Sequence, residues 1–458
     1  MQRIIRRVIG VLCLLLATPL WAQVFDYQVR FNRSLTESET RVCFSDSIPR
    51  MLITGDIAAA PLLAEVQVRG GTVRRKANRL YLFPDSDQLC LTLVQRVKAQ
   101  SSSYDWRRQR RGSMWFGRDL VLPIGSWLWR PAKLTPGQQI QLSFDLPAGV
   151  NISAPWPVMA ANTFRIDHQM PYNWAGRMAL GRFTPIELKV GEQTLEVAML
   201  DGLERRRNLL DWLQQAATTV AGVSGYFPTA RTQVLVLPVG VDKEAVPWAE
   251  IQRQGRPAVH FFIDQHRPIY EFTRDWTAVH EFSHLLHPYI LRQDAWLFEG
   301  IASYYQNISR VRSGLLTEQQ AWQKLYDGFQ RGSKKIGGAV LRDSNEIMQF
   351  YWGGAAFVLM ADVELHQRSG QSLAGVLHRF RQCCGEDMGP WSAKVMLRQL
   401  DQLSQGTTFI QLYRQQVSRR AFPAVYGVLD QLGVKVRNGR VSLDNAAPLA
   451  GIRREITR

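Results

Sequence analysis

The sequence predicts an α+β protein, with a β-sandwich-like region in its N-terminal half and a mostly helical region with a small sheet after it. Short runs of alternating apolar and polar residues up to about residue 200 and helical periodicity beyond it are two observations that predict this. The third is the composition, with 46% hydrophobic and 21% charged residues, which excludes a disordered or collagen-like chain. The length of 458 residues fits about three domains or fewer. We predict segments at 1–22, 23–200 and 201–458.

Residues 1–22 have the pattern of a secretory signal peptide. Three arginines lie around the start of an apolar run from Val8 to Leu16, and the small residue Ala22 precedes Gln23. The run is shorter than the roughly 20 apolar residues that a membrane-spanning helix needs, so we expect cleavage and export, with the periplasm as the favoured destination and the medium as the alternative. Cleavage removes the three arginines and lowers the formal net charge from +17 to about +14, a field that attracts anionic surfaces or substrates.

Four cysteines remain in the mature chain, an even number that permits disulfides in an oxidising compartment. Cys43 and Cys90 both lie in strand-like runs of the N-terminal region, and we predict that they pair. Cys383 and Cys384 are adjacent, and a bond between neighbours is strained, so two buried thiols are at least as good an interpretation. No Cys/His spacing indicates a structural metal site.

The β-rich region runs from Val24 to about Leu200, where Gly, Pro, Asn and Asp separate runs such as VFDYQVRF, RLYLFP, QLCLTLV and QIQLSFDLP. Many short strands with frequent turns predict a sandwich. A basic run within it is a candidate patch for an anionic envelope surface, through Arg107, Arg108, Arg110 and Arg111. A solvated loop is the favoured interpretation, because no aromatic stacking platform surrounds the run, and we expect no nucleic-acid partner.

The pattern becomes helical after about residue 202. LERRRNLLDWLQQAATTVAGV predicts an amphipathic helix that ends near Gly222 and Gly225, whereas RTQVLVLPV and PAVHFFID predict strands. Asn438 and Gly439 supply the positive φ angles of a type I′ turn, so VKVRNGRVSL predicts a hairpin. Between these segments we predict helices at 276–287, 296–309, 317–330, 346–369, 372–382 and 392–404.

The strongest chemical motif is His280-Glu281-Phe282-Ser283-His284 on a predicted helix. Residues four apart on a helix project from one face, so both imidazoles can bind one metal ion. Glu281 lies beside that ion, where it can take a proton from a metal-activated water. His287 shares the same helix face; support of a metal ligand, contact with substrate and plain packing all stay open for it.

A second segment, WLFEGIASYY at 296–305, places Glu299 near the start of another helix. The loop at 289–294 can turn the chain back, so that the two helices pack together and Glu299 reaches the metal. We expect Gly300 to leave room for this close approach. The two histidines and Glu299 provide N, N and O ligands with a fourth position open, which is typical of a catalytic zinc ion, and we expect one Zn²⁺.

This part of the chain resembles the gluzincin metallopeptidases, especially the glycyl aminopeptidase family and its thermolysin-like relatives. The resemblance covers about residues 255–385 and rests on HEFSH, WLFEGIASYY, RSGLLTEQQ, YWGGAAFVLMADVEL and GQSLAGVL. It implies a thermolysin-like catalytic domain that hydrolyses peptide bonds. It also implies that the zinc ligands are His280, His284 and Glu299, and that Glu281 is the general base.

Tyr351, in the run YWGG, occupies the place of the tyrosine that stabilises the oxyanion in these enzymes. The role is physically reasonable, because a phenol O–H can donate to a tetrahedral intermediate. An ordinary aromatic residue at the start of a helix is the alternative interpretation, and Tyr304 and Tyr305 are rivals for the role.

One segment departs from the family pattern. Relatives that trim N-termini carry a Glu in a Gly-rich strand just before the zinc helix, and this Glu binds the free amine of the substrate. The corresponding run here, Gln254–Asp264, contains no Glu, although its strand can still pair with an extended peptide. We therefore expect a zinc peptidase that is aminopeptidase-like by resemblance. An endopeptidase of the same mechanism and a non-catalytic envelope-binding protein on the same scaffold are the alternatives.

Overall fold

A computed structural model describes residues 23–102, 105–167, 176–253, 256–334, 340–385 and 389–458. The expected signal peptide lies outside these residues. The predicted fold class is confirmed: strands dominate the first half, and helices around a small sheet dominate the second. No helix in the described ranges is long and apolar enough to cross a membrane.

The described residues of the N-terminal half form short strands, a short α-helix, α1 (Trp106–Gln109), and two 3-10 helices (Ile57–Leu62 and Ile124–Ser126). The strands are β1 (Gln23–Phe31), β2 (Glu37–Phe44), β3 (Met51–Ile53), β4 (Leu63–Arg69), β5 (Gly71–Lys76), β6 (Arg79–Pro84), β7 (Leu89–Arg96), β8 (Gln100–Ser101), β9 (Met114–Phe116), β10 (Asp119–Pro123), β11 (Arg130–Pro131), β12 (Gln138–Asp145), β13 (Asn151–Ser153), β14 (Val158–Ala160), β15 (Thr163–Asp167) and β16 (Arg177–Gly181). They form sheets in the orders β14-β15-β12-β1-β2-β7-β4, β13-β16-β10-β9-β8 and β11-β3-β6-β5.

Alternating burial holds this half together. Strand β1 buries every second side chain from Phe25 to Phe31, because successive residues of a strand face opposite sides of the sheet. Cys43 of β2 lies directly opposite Cys90 of β7, and the two form a disulfide, which confirms the predicted pair. The bond closes a loop over a separation of 47 residues, a constraint worth about 4 kcal/mol on the chain-entropy model.

The second half contains a mixed five-stranded sheet in the order β17-β18-β19-β21-β20. Its strands are β17 (Ile186–Val190), β18 (Gln193–Met199), β19 (Arg231–Pro238), β20 (Trp248–Gln252) and β21 (Ala258–Ile263). The three inner strands are parallel, whereas the edge strands β17 and β20 run antiparallel to their neighbours. Because β18 pairs with β19, this sheet begins at Ile186, before the predicted boundary at residue 200.

Every helix that the sequence predicts in the second half is found to within a few residues, and four short helices that it does not predict are found as well, at 269–274, 408–412, 425–431 and 450–457. They are α2 (Arg206–Ser224), α3 (Ile269–Arg274), α4 (Thr277–Ser283), α5 (Ala295–Arg312), α6 (Glu318–Ser333), α7 (Ile347–Ser369), α8 (Leu373–Cys384), α9 (Ala393–Ser404), α10 (Thr408–Leu412), α11 (Val425–Gln431) and α12 (Ala450–Thr457). The predicted hairpin is formed by β22 (Val434–Arg437) and β23 (Arg440–Leu443), with positive φ at Asn438 and Gly439. Gly225, also at positive φ, ends α2.

Helix α8 ends in the two adjacent cysteines. The structure joins Cys383 to Cys384, and Cys383 is exposed. The interpretation as two buried thiols is therefore wrong, because the C-terminal end of α8 lies at the surface.

An apolar layer joins the two halves. Side chains of β9, β10 and β16 meet one face of the five-stranded sheet of the second half, and Trp106 stacks on Phe262 of β21 with ring centroids 5.3 Å apart. Arg110 lies 4.3 Å from the ring centroid of Trp248 on β20. The expectation of a solvated loop is therefore correct only in part: Trp106 and Arg110 pack against the second half, whereas Arg107, Arg108 and Arg111 are exposed.

Candidate metal centre and active site

Helix α4 carries the first motif and is buried along its whole length. Val279 and Phe282 belong to the apolar core beneath it, and the Asp275 carboxylate accepts a hydrogen bond from the first backbone N–H of the helix at 2.7 Å. The core contacts fix the rotation of the helix, so His280 and His284 both project from its opposite face. Their ring centroids lie 4.8 Å apart.

Helix α5 brings Glu299 to the two imidazoles. Its Oε2 atom lies 3.1 Å from Nε2 of His280 and 3.5 Å from Nε2 of His284. Two ligands of a tetrahedral zinc ion, each bonded at 2.0–2.1 Å, lie about 3.3 Å apart. Both separations from Glu299 are therefore those that one zinc ion requires, and the N, N, O chemistry of the three donors suits that ion.

A close contact between helices α5 and α7 sets the position of Glu299. A Cβ atom on Gly300 would lie 2.4 Å from the carbonyl carbon of Gly354, and one on Gly354 would lie 1.8 Å from the carbonyl oxygen of Trp296. The expectation that Gly300 leaves room for the close approach of α4, the helix of the HEFSH motif, is therefore wrong. The side of Gly300 that lacks a Cβ faces α7. The contact instead holds Glu299 and Tyr351, one turn before Gly354, at the same site.

The charges of the metal centre favour a bound cation. Burial alone would raise the pKa of Glu299, but the two histidines hold it below its usual range, so the carboxylate is ionised. Burial lowers the pKa of His284, whereas for His280 the hydrogen bond and charge of Glu299 outweigh burial and raise the pKa. A buried anion with two imidazoles is a donor set that a divalent metal neutralises.

Glu281 lies beside the metal ligands but is not one of them, since the third ligand is Glu299. Its carboxylate and the ligand atoms of His280 and His284 lie within 4.8 Å of one another. Burial raises the pKa of Glu281 to about 8, the charges of Glu299 and Glu250 add to the shift, and that of His280 opposes it. The residue therefore has the position and the proton affinity of a general base.

Tyr351 lies over the metal ligands. Its ring stacks on that of His280, with centroids 5.7 Å apart and an interplanar angle of 3°. Burial, followed by the charges of Glu299 and Glu281, raises the pKa of Tyr351, so its hydroxyl keeps its proton and can donate. The rivals are placed elsewhere: Tyr304 donates to Asp362 at 2.7 Å, and Tyr305 packs against Tyr304 in the core.

His287 packs against the site without joining it. The residue is buried, its Nδ1 lies 2.8 Å from the carbonyl oxygen of Pro288, and its ring contacts His284 and Phe298. Burial, with the charge of Arg253, lowers the pKa of His287 well below its usual value, so its ring is neutral. Of the three interpretations, packing beside a metal ligand describes this position.

The sequence interpretation missed Gln306. Its Oε1 atom lies 2.7 Å from Nδ1 of His280. With this oxygen as acceptor, Nδ1 carries the proton and Nε2 keeps its lone pair for the metal. The signal that could have found it is its position seven residues after Glu299, which places both residues on one face of α5.

The sequence interpretation also missed Glu250, because it searched the run at 254–264 for an acidic residue. Glu250 lies on the edge strand β20, opposite His260. Its Oε1 atom forms an ion pair with Nη1 of Arg177 on β16, at 3.1 Å. Burial would raise the pKa of Glu250, but Arg177 and His260 lower it to about 2. Its charge reaches Glu281, so an ionised carboxylate does border the site.

Comparison with known proteins was made on the sequence and on the fold. The M61 glycyl aminopeptidase family matches residues 286–355, a segment that begins just after His284 and contains Glu299 and Tyr351. No curated protein sequence matches this chain significantly.

Several solved structures share the fold. An aminopeptidase N family protein of Idiomarina loihiensis superposes with a TM-score of 0.66 at 14% identity, over 90% of this chain and 79% of that one. An M1 zinc metallopeptidase of Deinococcus radiodurans gives 0.54 at 15% identity, over 88% and 95%. Yeast LTA4 hydrolase gives 0.52 at 11% identity, over 90% and 70%. The chain therefore shares the fold of these peptidases, and its segment around Glu299 is similar to the M61 glycyl aminopeptidase family.

Proposed function

We propose that this chain is a zinc-dependent peptidase that hydrolyses peptide bonds and is aminopeptidase-like. One observation carries the proposal: His280, His284 and Glu299 converge at zinc-ligand separations, with Glu281 and Tyr351 at the same point. A purely structural metal site needs neither an unligated carboxylate nor a phenol beside it.

Each residue of the site has a chemical task in this reaction. The bound zinc supplies Lewis acidity, which polarises a carbonyl and makes a water molecule more acidic. Glu281 takes the proton of the attacking water and passes it to the leaving amine. Tyr351 donates its hydroxyl proton in a hydrogen bond to the oxygen on which negative charge develops. Gln306 keeps the His280 ring in the tautomer that presents Nε2 to the metal.

Two features bear on whether the peptidase acts on N-termini. The edge strand β20 can add an extended peptide as a further strand, and the ionised Glu250 on it suits a substrate's free amine. The ion pair with Arg177 favours the endopeptidase alternative, because an amine must compete with a guanidinium already in place. We favour the aminopeptidase, because the Glu250 carboxylate has further lone pairs after pairing with Arg177 and can accept hydrogen bonds from the substrate's amine.

Metal content and peptide hydrolysis, measured on the same preparation, test the proposal. Glu281→Gln is expected to keep about one zinc ion per chain and to lose about 10²–10⁴-fold in kcat. Glu192→Gln, in an exposed turn, is the matched control and should hydrolyse as the wild type does. Undiminished hydrolysis by Glu281→Gln would discard the mechanism. Wild-type protein that holds zinc but cleaves nothing in a broad peptide library would instead support the non-catalytic alternative.

A peptide offered with a free and with an acetylated N-terminus separates the two modes of action. An aminopeptidase should cleave the free form and leave the acetylated form intact. Equal cleavage of both forms would identify an endopeptidase and would leave the proposed chemistry unchanged.

We also propose export to the periplasm and contact of the basic run with an anionic envelope surface. The signal-peptide pattern and the positive net charge support this. Arg107 is engaged with Asp242 and Arg108 with Asp105, so much of the run's charge is already compensated within the chain. Fractionation of expressing cells tests the compartment, and sedimentation with anionic vesicles tests the surface.

A further inference from the structure

A groove of about 350 Å³ opens beside Tyr351, between helices α5, α6 and α7. Three cationic side chains and one carboxylate line it: Arg310, Lys324, Arg331 and Asp327. Because Tyr351 belongs to both, the groove joins the candidate active site at one end. We call it the cationic groove.

Helix packing shapes the floor of the cationic groove. A Cβ atom on Gly328 would lie 2.1 Å from the ring of Trp352, so the indole lies directly against the backbone of α6. The Arg331 guanidinium lies over this indole, 5.0 Å from the ring centroid. The cation–π contact keeps the charge of an otherwise exposed side chain at the groove.

Two buried polar groups in the groove wall lack partners among the described residues. They are the hydroxyl of Ser303 and Nε of Arg310, whose residues are 1% and 2% exposed. Arg310 uses its Nη2 to donate to the carbonyl oxygen of Arg274 at 2.6 Å, and Nε is left over. Buried donors without acceptors are costly, so this wall is suited to a ligand that brings acceptor oxygens.

Three cationic side chains and one carboxylate line the groove, so its lining carries a net positive charge. Burial lowers the pKa of Lys324, and the charges of Arg310 and Arg331 lower it further. Asp327 and Asp275 oppose this shift without reversing it. The cations therefore repel one another in the free protein, and a bound anion would relieve that repulsion.

We propose that the cationic groove binds a carboxylate of the peptide substrate on the C-terminal side of the scissile bond. This inference rests on the proposed peptidase function. Arg310 follows Gln306, which contacts a metal ligand, by one helical turn, about 6 Å along α5. The imidazole of His280 lies between Gln306 and the metal, so the path from the scissile bond to Arg310 is about 10 Å, the span of about three extended residues. The carboxylate therefore lies within about three residues of the scissile bond. Glu250 carries the opposite charge and suits the amine end of the same peptide.

The carboxylate has two sources, the C-terminus of a short peptide or an acidic side chain, and two peptide pairs distinguish them. The first pair is a tripeptide as free acid and as C-terminal amide. The second pair carries Glu or Gln after the scissile bond and is amidated at its C-terminus. We expect the wild type to prefer one acidic form about fivefold in kcat/KM, through KM, and to lose part of the preference in 0.5 M NaCl.

The test variant is Lys324→Gln combined with Arg331→Gln, two exposed positions outside the catalytic machinery. It should lose the preference and keep the kcat of the amide and Gln peptides. Lys334→Gln, which removes one positive charge just after the C-terminal end of α6, is the control and should keep the preference. Calorimetric binding of the same peptides to Glu281→Gln gives a readout that needs no turnover, and the preference should appear there as a ratio of Kd values.

The outcomes separate the two proposals. An acid preference that is absent in the wild type, or unchanged in the double variant, overturns the groove proposal and leaves the peptidase proposal standing. If no peptide is hydrolysed, the peptidase proposal is contradicted. If the Kd nevertheless depends on the carboxylate, and the double variant loses this dependence, carboxylate binding by the groove is supported.

Discussion

Two buried clusters of charge border Glu281. Each contains an ionised glutamate, but the two differ in the groups that balance its charge. In the metal centre, the ionised Glu299 contacts two imidazoles. In the edge-strand cluster, the ionised Glu250 contacts the guanidinium of Arg177. The first cluster gathers negative charge and lone pairs that an added cation must compensate. The second carries its own cation, so the charge of Glu250 is balanced when the chain folds, although its carboxylate keeps lone pairs for a substrate amine.

This difference predicts which property each cluster serves. A site that is finished only by an added ion contributes to activity and to metal-dependent stability. An ion pair that joins β16 to β20 contributes to the stability of the folded chain, because loss of one partner leaves a buried charge. Four substitutions test this division.

The largest effect is expected for Glu299→Ala. Loss of the third ligand should lower kcat/KM by at least about 10³-fold, since several kcal/mol of charge stabilisation depend on the metal. Zinc content by mass spectrometry and hydrolysis rates measure this. If the comparison is right, a chelator lowers the melting temperature of the wild type and leaves that of the variant unchanged. A variant that keeps stoichiometric zinc and full activity would show that Glu299 is not a ligand.

Tyr351→Phe should come next. Removal of one donor to a developing oxyanion costs about 10²–10³-fold in kcat, and zinc content and stability should stay at the wild-type level. Tyr270→Phe, on an exposed ring, is the control. A kcat within twofold of the wild type would assign Tyr351 to packing alone.

Glu250→Gln tests the other cluster and should act on stability. We expect a loss of about 3 kcal/mol in the free energy of unfolding at pH 7, because Arg177, only 4% exposed, is left without a charged partner. The folded-state pKa of Glu250 is about 2, below its unfolded value near 4.3, so the wild type holds this advantage above about pH 4.5 and loses it as the pH falls towards 2.

Urea unfolding of both proteins at pH 7 and at pH 3 measures the advantage, and about half of it should be gone at pH 3. A difference that is independent of pH would show that ionisation of Glu250 is not its source.

Gln306→Leu should have the smallest effect of the four. Loss of the acceptor for Nδ1 of His280 leaves every ligand in place but costs about 10–100-fold in zinc affinity, measured by competition with a chelating dye. Gln306→Glu restores an acceptor and should recover most of the affinity. An equal loss in both variants would point to helix packing instead of ligand orientation.

Local patterns in the sequence determine much of this protein. The spacing of the histidines in HEFSH places them on one face of a helix, and helical periodicity predicts α5 to α9 within a few residues. Alternation along β2 and β7 places Cys43 and Cys90 in strands, and Asn438-Gly439 determines the hairpin turn. Each of these depends on interactions over a few residues, which a sequence displays directly.

Contacts between distant segments were decided only by the tertiary structure. Gly300 is needed for the approach of α7, not of α4, because helix packing is set by the whole core and not by the neighbouring motif. Glu250 borders the site because strand order brings an edge strand beside the zinc helix, and Arg177 neutralises it from the other half of the chain. The cationic groove likewise takes its walls from three helices. Such pairings depend on long-range packing energy, for which a single sequence carries no periodic signal.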